Sequence, residues 1–305
     1  MSLIPSNYAN EFCDIYNSLD STRNQWESRL LMKLDLIMFI WAKLVKNASS
    51  LYVCLQCFKY SIDPSQMEIH RSSCDKSVPG QSVYCKKNYK LFRVDGDQDK
   101  VMLFCQCLSL FAKMFLDEKT IYYDVDGFYF YVLGVFRQRA TETSTEIIGF
   151  FSREKRSWDE YNLACILVFP QFQGRGYGQL LIDFSYEISR LRNKIESPES
   201  PLSAQGLNTY QKYWKSKIAQ LVVNGCETGT APEKWSINAM SQILHIRPED
   251  VESALLSMNL NIQKSLITNT EVYRVSKARL KEYIPKKTQH VLDRKCLEHL
   301  KEMTY

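Results

Sequence analysis

The sequence predicts an α/β (α+β) protein: a central mixed sheet with helices, preceded by a small module bearing cysteines and a histidine, and followed by a helical region. Three observations predict this order. Metal-ligand spacing marks the module, short aromatic-rich apolar runs follow it, and apolar residues recur at steps of three and four beyond about residue 225. Hydrophobic residues make up 45% of the 305 residues and charged residues 24%, which is ordinary for a folded protein.

Changes in these patterns divide the chain into four predicted segments. No internal repeat or low-complexity stretch interrupts them. The segments are an N-terminal part of uncertain role (1–48), a C2HC finger (49–80), the core (81–225) and a helical C-terminal region with a basic tail (226–305).

The N-terminal segment holds the most apolar run of the chain, Leu30–Val45. It contains Lys33, Asp35 and Lys43 and is too short to cross a bilayer comfortably, so it predicts a buried or partner-facing helix and no membrane association. Met1 is not followed by a basic flank and an apolar core, so no signal peptide is predicted. Ten scattered cysteines without such a signal predict reduced thiols in the cytosol or nucleus.

A metal site is predicted by the spacing Cys54-x2-Cys57-x12-His70-x3-Cys74. Zinc takes four thiolate or imidazole ligands in a tetrahedron, and a CxxC turn supplies two of them at one corner. A spacer of this length suits a hairpin that runs into a helix, which carries the other two ligands. Four protein ligands leave no open position, so the zinc would be structural. The alternative is three inert core thiols beside a surface histidine.

The core mixes strands and helices. Aromatic-rich apolar runs at Lys119–Phe136 and Glu146–Ser152 predict strands, with Gly127 in a turn. Gln106–Asp117 has its apolar residues at helical spacing. The core is therefore predicted as mixed α and β.

The C-terminal region predicts a helix-turn-helix-like unit over Ser236–Leu260. Pro248 opens its second helix, and Glu249 and Asp250 favour the N-terminal end of the helix dipole. Such units are often packing modules, so no sequence-specific DNA binding is expected. The basic run Arg274–Lys287 is either a solvated helix face or a surface that tolerates nucleic acid or chromatin.

A strand, a glycine turn and a helix are predicted in succession within the core. The apolar run Leu163–Phe169 predicts one buried strand. Glycines then stand at every second position, and a helix face follows at steps of three and four. The glycines are Gly174, Gly176 and Gly178, and the helix face is Leu181, Phe184, Ile188 and Leu191. A helix N-terminus behind small residues can bind a phosphate, although glycines also serve tight packing alone.

Neither of two common phosphate-binding motifs fits this turn, since GxxxxGK[ST] is absent and GxGxG lacks the spacing of a dinucleotide fingerprint. Gln173-x-x-Gly176-x-Gly178 does match the Q/R-x-x-G-x-G/A turn that wraps the coenzyme A pyrophosphate in acyl-CoA-dependent N-acetyltransferases.

The stretches around this turn closely resemble the MYST family of histone acetyltransferases. They are "NLACILVFPQFQGRGYGQLLIDFSYEISRL", "SPESPLSAQGLNTYQKYW" and "FLDEKTIYYDVDGFYFYVL". The finger and "VPGQSVY" also follow the order of that family. The likeness covers about residues 51–260 and is greatest to the short yeast members of silencing complexes.

The resemblance implies a GNAT-like core that binds acetyl-CoA and transfers its acetyl group to a lysine of a histone tail, with H4 the expected histone. It also implies a nuclear location, action on the nucleosome, and membership of a chromatin acetyltransferase complex. Two other functions remain open: acetylation of small amines, which neither the finger nor the basic tail suits, and a zinc-finger chromatin subunit with a vestigial coenzyme site.

The resemblance also assigns roles to individual residues. Glu199 occupies the position of the general base, Cys165 that of the active-site cysteine, and Lys119 that of an autoacetylated lysine. The positions of the coenzyme contacts are Ile166, Leu167, Val168, Gln173, Gly174, Arg175, Gly176, Tyr177, Gly178, Gln179, Ser203 and Lys212. The chain departs from the family pattern at Gly174, where arginine is usual, at Lys212, where serine is usual, and before the finger, where the family's aromatic stretch is not recognisable.

Lysine acetylation needs a base because the pKa of lysine is near 10.4, and deprotonating it at neutral pH costs about 4–5 kcal/mol. Glu199 is held between Pro198 and Ser200–Pro201, as a positioned base should be, although a surface acid in such a loop is equally ordinary. We expect Cys165 to line the acetyl pocket while the lysine attacks directly in a ternary complex, because burial disfavours the thiolate that an acyl-cysteine requires. The alternative interpretation of Lys119 is an ordinary solvated lysine without a regulatory role.

Overall fold

A computed structural model describes the chain over residues 30–33, 50–75, 77–116, 119, 123–138, 143–229, 235–258, 260–264, 271–274, 276–285 and 292–299. None of the helices in these ranges has the length and apolar character needed to cross a membrane. The residues fall into two compact units. The first takes those of 30–155, 165–174 and 295–299, and the second takes those of 156–164 and 175–294.

Twelve strands are found in the described ranges. They are β1 (Leu30–Lys33), β2 (Ser50–Val53), β3 (Tyr60–Ser61), β4 (Gln81–Lys86), β5 (Tyr89–Asp95), β6 (Phe128–Gln138), β7 (Thr143–Glu154), β8 (Tyr161–Leu163), β9 (Cys165–Val168), β10 (Ser197–Pro198), β11 (Asn261–Lys264) and β12 (Glu271–Arg274).

Seven α-helices accompany them, with 3₁₀ turns at Pro170–Phe172 and Arg294–Cys296. The helices are α1 (Pro64–Ser73), α2 (Asp99–Lys113), α3 (Tyr177–Leu191), α4 (Ala204–Thr228), α5 (Ile237–Leu244), α6 (Pro248–Leu256) and α7 (Lys277–Lys281). The α/β fold class is therefore confirmed.

The first unit is built on a five-stranded sheet in the order β4-β5-β6-β7-β9. All its neighbouring strands are antiparallel, so the prediction of a mixed sheet is wrong in this respect. The parallel pair of β8 and β10 forms a separate two-stranded sheet. Its alternating side chains form a core in which Val132, Ile148 and Phe150 have no exposed surface. The rings of Tyr131 and Phe151 stack across β6 and β7 with centroids 4.6 Å apart. β7 confirms the strand predicted at Glu146–Ser152, and β6 confirms the part of Lys119–Phe136 that follows Gly127. The described residues of that run before Gly127 form no strand. The helix predicted over Gln106–Asp117 is confirmed as far as Lys113, where α2 ends.

The finger begins with a three-stranded antiparallel sheet in the order β1-β2-β3. The prediction of a helix over Leu30–Val45 is wrong for its first four residues, because Leu30–Lys33 pairs as β1 with Ser50–Val53. A continuous apolar run suits a strand and a helix equally, so a nearby sheet edge can decide between them. The remainder of that run lies outside the described residues.

The apolar run Leu163–Phe169 is not the single buried strand that was predicted. It is divided at Ala164 into β8, which pairs with β10, and β9, which pairs with β7. The pairing of β9 needs a glycine on its partner strand, because a Cβ at Gly149 would lie 2.5 Å from the carbonyl oxygen of Leu167. Hydrophobicity alone could not show this division, since both strands are apolar.

The second unit packs α3 against α4, and the helical hairpin of α5 and α6 follows. The antiparallel pair of β11 and β12 comes next, in a region that was predicted to be helical. Between α3 and α4 the rings of Tyr186 and Tyr213 stack with centroids 5.2 Å apart, and Trp214 Nε1 donates a hydrogen bond to the Tyr186 hydroxyl at 2.8 Å. Ser236 caps α5 through its side chain, and Pro248 opens α6. The predicted helix-turn-helix-like unit is thus confirmed, with Val251, Leu255 and Met258 among its buried residues.

Candidate functional site

The four predicted metal ligands are brought together in the finger. The ligand atoms of Cys54, Cys57, His70 and Cys74 all lie within 4.8 Å of one another. The Sγ atoms of Cys54 and Cys74 are 3.8 Å apart, and Cys57 Sγ lies 3.1 Å from His70 Nε2. Two sulfurs that each lie about 2.3 Å from a tetrahedral zinc are about 3.8 Å apart, so the observed separation fits zinc.

The chemistry of this cluster also suits a metal ion. The Cys57 thiol donates a hydrogen bond that lowers the pKa of Cys54 to about 4, against the opposing effect of burial. The same hydrogen bond, together with burial, raises the pKa of Cys57. The thiolate is the form that ligates metals, so Cys54 is prepared to bind one. Three sulfurs and one imidazole form a closed ligand set, which makes this a structural zinc site.

The finger is anchored to the sheet unit by one aromatic residue in the CxxC turn. Phe58 has a positive φ of 60° and is 1% exposed. Its ring lies 5.1 Å from that of Phe111 on α2 and 5.7 Å from that of Phe169, measured between centroids. The conformation of the metal-binding turn therefore decides how part of the core of the first unit packs.

Strand β9 presents the first group of predicted coenzyme residues at the edge of its sheet. Phe169 N–H donates to Ile148 O at 3.0 Å, and hydrogen-bonded pairs alternate along an antiparallel ladder. The main-chain groups of Ile166 and Val168 therefore point away from β7. Cys165 is half-buried at the start of β9 and Leu167 is buried. At the other end, Gln173 Nε2 donates to Val168 O at 2.8 Å and fixes the turn that follows.

The glycine turn leads into the N-terminus of α3. Gly174 and Gly176 have φ of 73° and 90°, values at which a Cβ would be strained, and Gly176 is the N-cap of the helix. Arg175 between them is exposed. The N-cap of α3 therefore supplies no side-chain hydrogen bond to the first turn, whose N–H groups have no partner within a helix.

The other predicted coenzyme residues of the second unit, apart from Lys212, lie at the starts of α3 and α4. Tyr177 and Gly178 occupy the first turn of α3, and Gln179 Nε2 donates to the carbonyl oxygen of Thr209 on α4 at 2.9 Å. The Ser203 side chain caps α4 by accepting a hydrogen bond from Gly206 N–H at 3.1 Å. Ser203 thus has a structural role in the helix terminus, which was not predicted.

Two of the residues with predicted roles are lysines: Lys212, a predicted coenzyme contact, and Lys119, the predicted site of autoacetylation. Lys212 is exposed on α4 in the second unit. Lys119 is half-buried in the first unit, and its N–H donates to Leu116 O at 3.2 Å.

Glu199 is held by its backbone at the end of β10. Its N–H donates to Leu163 O at 2.8 Å, which extends the parallel pairing of β10 with β8 by one residue. The side chain itself is exposed. The loop therefore fixes the backbone from which the exposed Glu199 side chain extends.

Sequence reasoning missed two residues at the start of α6, the N-cap Arg247 and Asp250, which hold the strands β8 and β10. Ser197 Oγ donates to Asp250 Oδ2 at 2.7 Å, and the Arg247 guanidinium donates to the carbonyl oxygens of Asp159 and Glu160 at the entry to β8. Asp250 was assigned only to the helix dipole. The position of Asp250 at the start of α6 could be read from the sequence. Its hydrogen bond with Ser197 could not, because the two residues are 53 positions apart and share no local pattern.

Replacing Asp250 with Asn is expected to stabilise the protein at neutral pH. Burial raises the pKa of Asp250, and the Ser197 hydrogen bond and Arg247 only partly oppose it. A carboxyl with a raised pKa binds its proton more tightly in the folded state, so stability falls as pH rises from about 4 through the folded pKa. The amide oxygen of Asn can still accept from Ser197 without this loss.

Thermal unfolding at several pH values measures this effect. The Tm of Asp250→Asn should exceed that of the wild type at pH 7, and the difference should vanish near pH 3, where both states bind the proton. A lower Tm for Asp250→Asn at pH 7 would mean that the ionised carboxylate stabilises the fold.

The chain is similar to known proteins over most of its length. The family model described as the MOZ/SAS family matches residues 77–298, so the finger ligands Cys54, Cys57, His70 and Cys74 precede the matched region. Among curated proteins, the histone acetyltransferase ESA1 of Gibberella zeae is 41% identical over 213 residues, MOF of Drosophila melanogaster is 41% identical over 215, and mst2 of Schizosaccharomyces pombe is 42% identical over 214.

Each of these alignments covers 70% of the chain. The chain spans 41% of the length of the first relative, 25% of the second and 50% of the third. Since the family match covers more than half of the chain, the MYST resemblance drawn from the sequence is confirmed: the chain belongs to the MOZ/SAS family.

Proposed function

We propose that this protein is a lysine N-acetyltransferase that transfers the acetyl group of acetyl-CoA to lysines of histone tails. The observation that carries the proposal is the N-terminus of α3, where Gly176 opens a 15-residue helix with a φ of 90° and no capping side chain. Such a terminus offers main-chain N–H groups and the positive end of the helix dipole to an anion. The curated relatives named above are histone acetyltransferases by name.

In this proposal the coenzyme is held mostly by main-chain groups. The first-turn N–H groups of α3 bind the pyrophosphate, with the exposed Arg175 beside them. The outward main-chain groups of Ile166 and Val168 at the edge of β9 pair with amides of the pantetheine arm, as a peptide would at a sheet edge. Leu167, Gln173, Ser203 and Lys212 are proposed as further contacts.

Glu199 is the proposed general base. It accepts a proton from the target ε-ammonium group, and the neutral amine then attacks the thioester carbonyl carbon. The carbon–sulfur bond breaks, the acetyl group remains on the lysine nitrogen, and coenzyme A leaves as a thiolate that takes up a proton. Cys165 lines the acetyl pocket without forming a covalent intermediate.

The proposed setting is the nucleus, where the protein works on nucleosomes as a subunit of a chromatin acetyltransferase complex. Histone H4 is the expected substrate, and Lys119 is the expected site of autoacetylation. The zinc site holds the finger fold and takes no part in the chemistry, because its four protein ligands leave no open position.

Mass spectrometry of recombinant nucleosomes tests the proposal. After incubation with acetyl-CoA and the purified chain, peptides from histone tails should carry acetyl-lysine above the level of a heat-inactivated control, with H4 acetylated most. If the chain is active only after its complex is reconstituted, the activity belongs to the complex. Absence of acetylation from both preparations would contradict the proposed function and favour a zinc-finger chromatin subunit.

A further inference from the structure

The most exposed large hydrophobic side chain in the described residues is Trp158. Its relative exposure is 97%, and it lies in the loop Arg156–Glu160 that enters β8 in the second unit. An indole fully in water contributes nothing to core packing, whereas its burial by a partner would be strongly favourable. A fixed, exposed tryptophan is therefore a candidate contact for another molecule.

The loop that carries Trp158 is held in place by its backbone. Ser157 Oγ accepts a hydrogen bond from Tyr161 N–H at 3.1 Å, which closes the loop. The Arg247 guanidinium donates to the carbonyl oxygens of Asp159 and Glu160 and lies 5.4 Å from the centroid of the Tyr161 ring. The indole is thus presented by a braced loop, so docking on it does not have to order the chain first.

The chemistry around the indole favours a cationic ligand. Asp159 and Glu160 follow Trp158 directly, and both are exposed. The exposed Arg156, however, precedes the indole by two residues and offsets part of their charge. Lys194 pairs with Glu160 only loosely, at 3.7 Å, with both side chains about half exposed. An ammonium or guanidinium group over the indole face gains a cation–π interaction, and adjacent carboxylates add Coulomb attraction. Arg247 does not compete for the ligand, since it is directed at the carbonyl oxygens of the loop.

The loop lies within reach of a peptide whose lysine meets Glu199. Strands β8 and β10 run parallel, with Trp158 three residues before the start of β8 and Glu199 beside its end. At about 3.3 Å per residue, the two residues are at most about 20 Å apart, which five or six residues of an extended peptide span.

We propose that Trp158, with Asp159 and Glu160, docks a basic segment of the acceptor protein that lies no more than about six residues from the lysine to be acetylated. The inference deepens the proposed function and rests on it for the identity of the acceptor. It makes the loop a determinant of substrate affinity, whereas the acetyl transfer itself depends on Glu199.

Fluorescence anisotropy with the full chain and a labelled H4 tail peptide tests the docking without requiring turnover. Trp158→Ala should weaken the Kd about fivefold, which corresponds to about 1 kcal/mol, and Trp158→Phe should weaken it less. Charge reversal by Asp159→Lys and Glu160→Lys together should weaken it further and reduce its dependence on salt. Leu256→Ala removes another exposed apolar side chain of the same unit, 52% exposed, and should leave the Kd unchanged.

A second peptide tests whether the loop recognises positive charge. In this peptide the lysines and arginines that flank the target lysine are replaced by Gln. It should bind the wild type and Trp158→Ala equally. Equal binding of the basic peptide by wild type and Trp158→Ala, or no binding by the wild type, would overturn the proposal and leave the indole to a partner subunit. Trp158-dependent binding by a chain that acetylates nothing would contradict the proposed function but uphold the docking.

Discussion

Replacement of Cys57 with Ser is expected to abolish zinc binding and to unfold the finger. Apparent binding free energies of structural zinc in finger peptides are about 10–16 kcal/mol, and loss of one of four ligands removes much of that stabilisation. The damage should spread beyond the finger, because Phe58 in the same turn packs against Phe111 and Phe169 in the core. The zinc content should fall from about one per chain to near zero, and the Tm should fall with it.

Cys226→Ser is the matched control, because Cys226 is exposed on α4 and lies outside the cluster. Metal analysis and thermal unfolding of the two variants should separate loss of a ligand from loss of a thiol. If Cys57→Ser keeps one zinc per chain and the wild-type Tm, the cluster is three inert thiols beside a histidine.

Replacement of Gly176 with Glu is expected to weaken acetyl-CoA binding by at least about 100-fold. The new side chain would place a carboxylate at the helix N-terminus proposed to hold the pyrophosphate. Like charges about 4 Å apart repel by about 4 kcal/mol at the effective dielectric of a protein surface. The φ of 90° at Gly176 also strains any residue with a Cβ, by about 1–2 kcal/mol. Calorimetric titration with acetyl-CoA measures the combined effect.

Gly229→Glu separates the two contributions. Gly229 ends α4 with a φ of 70°, and a Cβ there would meet no atom within 4 Å. It therefore suffers comparable backbone strain away from the coenzyme. We expect it to lower the Tm but to bind acetyl-CoA like the wild type. Equal weakening by both variants would mean that the glycine turn acts through folding and does not bind the pyrophosphate.

Features set by local chemistry could be predicted from the sequence. The spacing of Cys54, Cys57, His70 and Cys74 identified a cluster whose ligand atoms do lie together, because zinc restricts residue type and spacing so strongly. Pro248 and the acids that follow it marked the start of α6 correctly, since helix termini are decided by a few neighbouring residues.

Features set by partners distant in the chain could not be predicted. The split of Leu163–Phe169 into β8 and β9 depends on which strands lie alongside, namely β10 and β7. The bond from Ser197 to Asp250 joins residues with no shared local pattern. The spacing of apolar residues predicts which face of a strand or helix is buried, but it does not predict which element packs against that face.

For Glu199, the sequence and the structure contribute different information. The family resemblance assigned its role, whereas the structure shows how its backbone is fixed, through the bond from its N–H to Leu163 O at 2.8 Å. Its position between two prolines was readable from the sequence. The parallel pairing with β8 was not, because β10 is only two residues long.

The most direct test of the acetyltransferase proposal is the single-turnover rate of acetyl transfer to an H4 tail peptide, measured for wild type and Glu199→Gln at saturating acetyl-CoA. Glutamine keeps the shape of the side chain but cannot accept the lysine proton. We predict a rate at least about 100-fold lower for the variant, with unchanged affinity for acetyl-CoA. Equal rates for the two proteins would contradict the assignment of Glu199 as the base, and no transfer by either protein, alone or in the reconstituted complex, would contradict the enzyme itself.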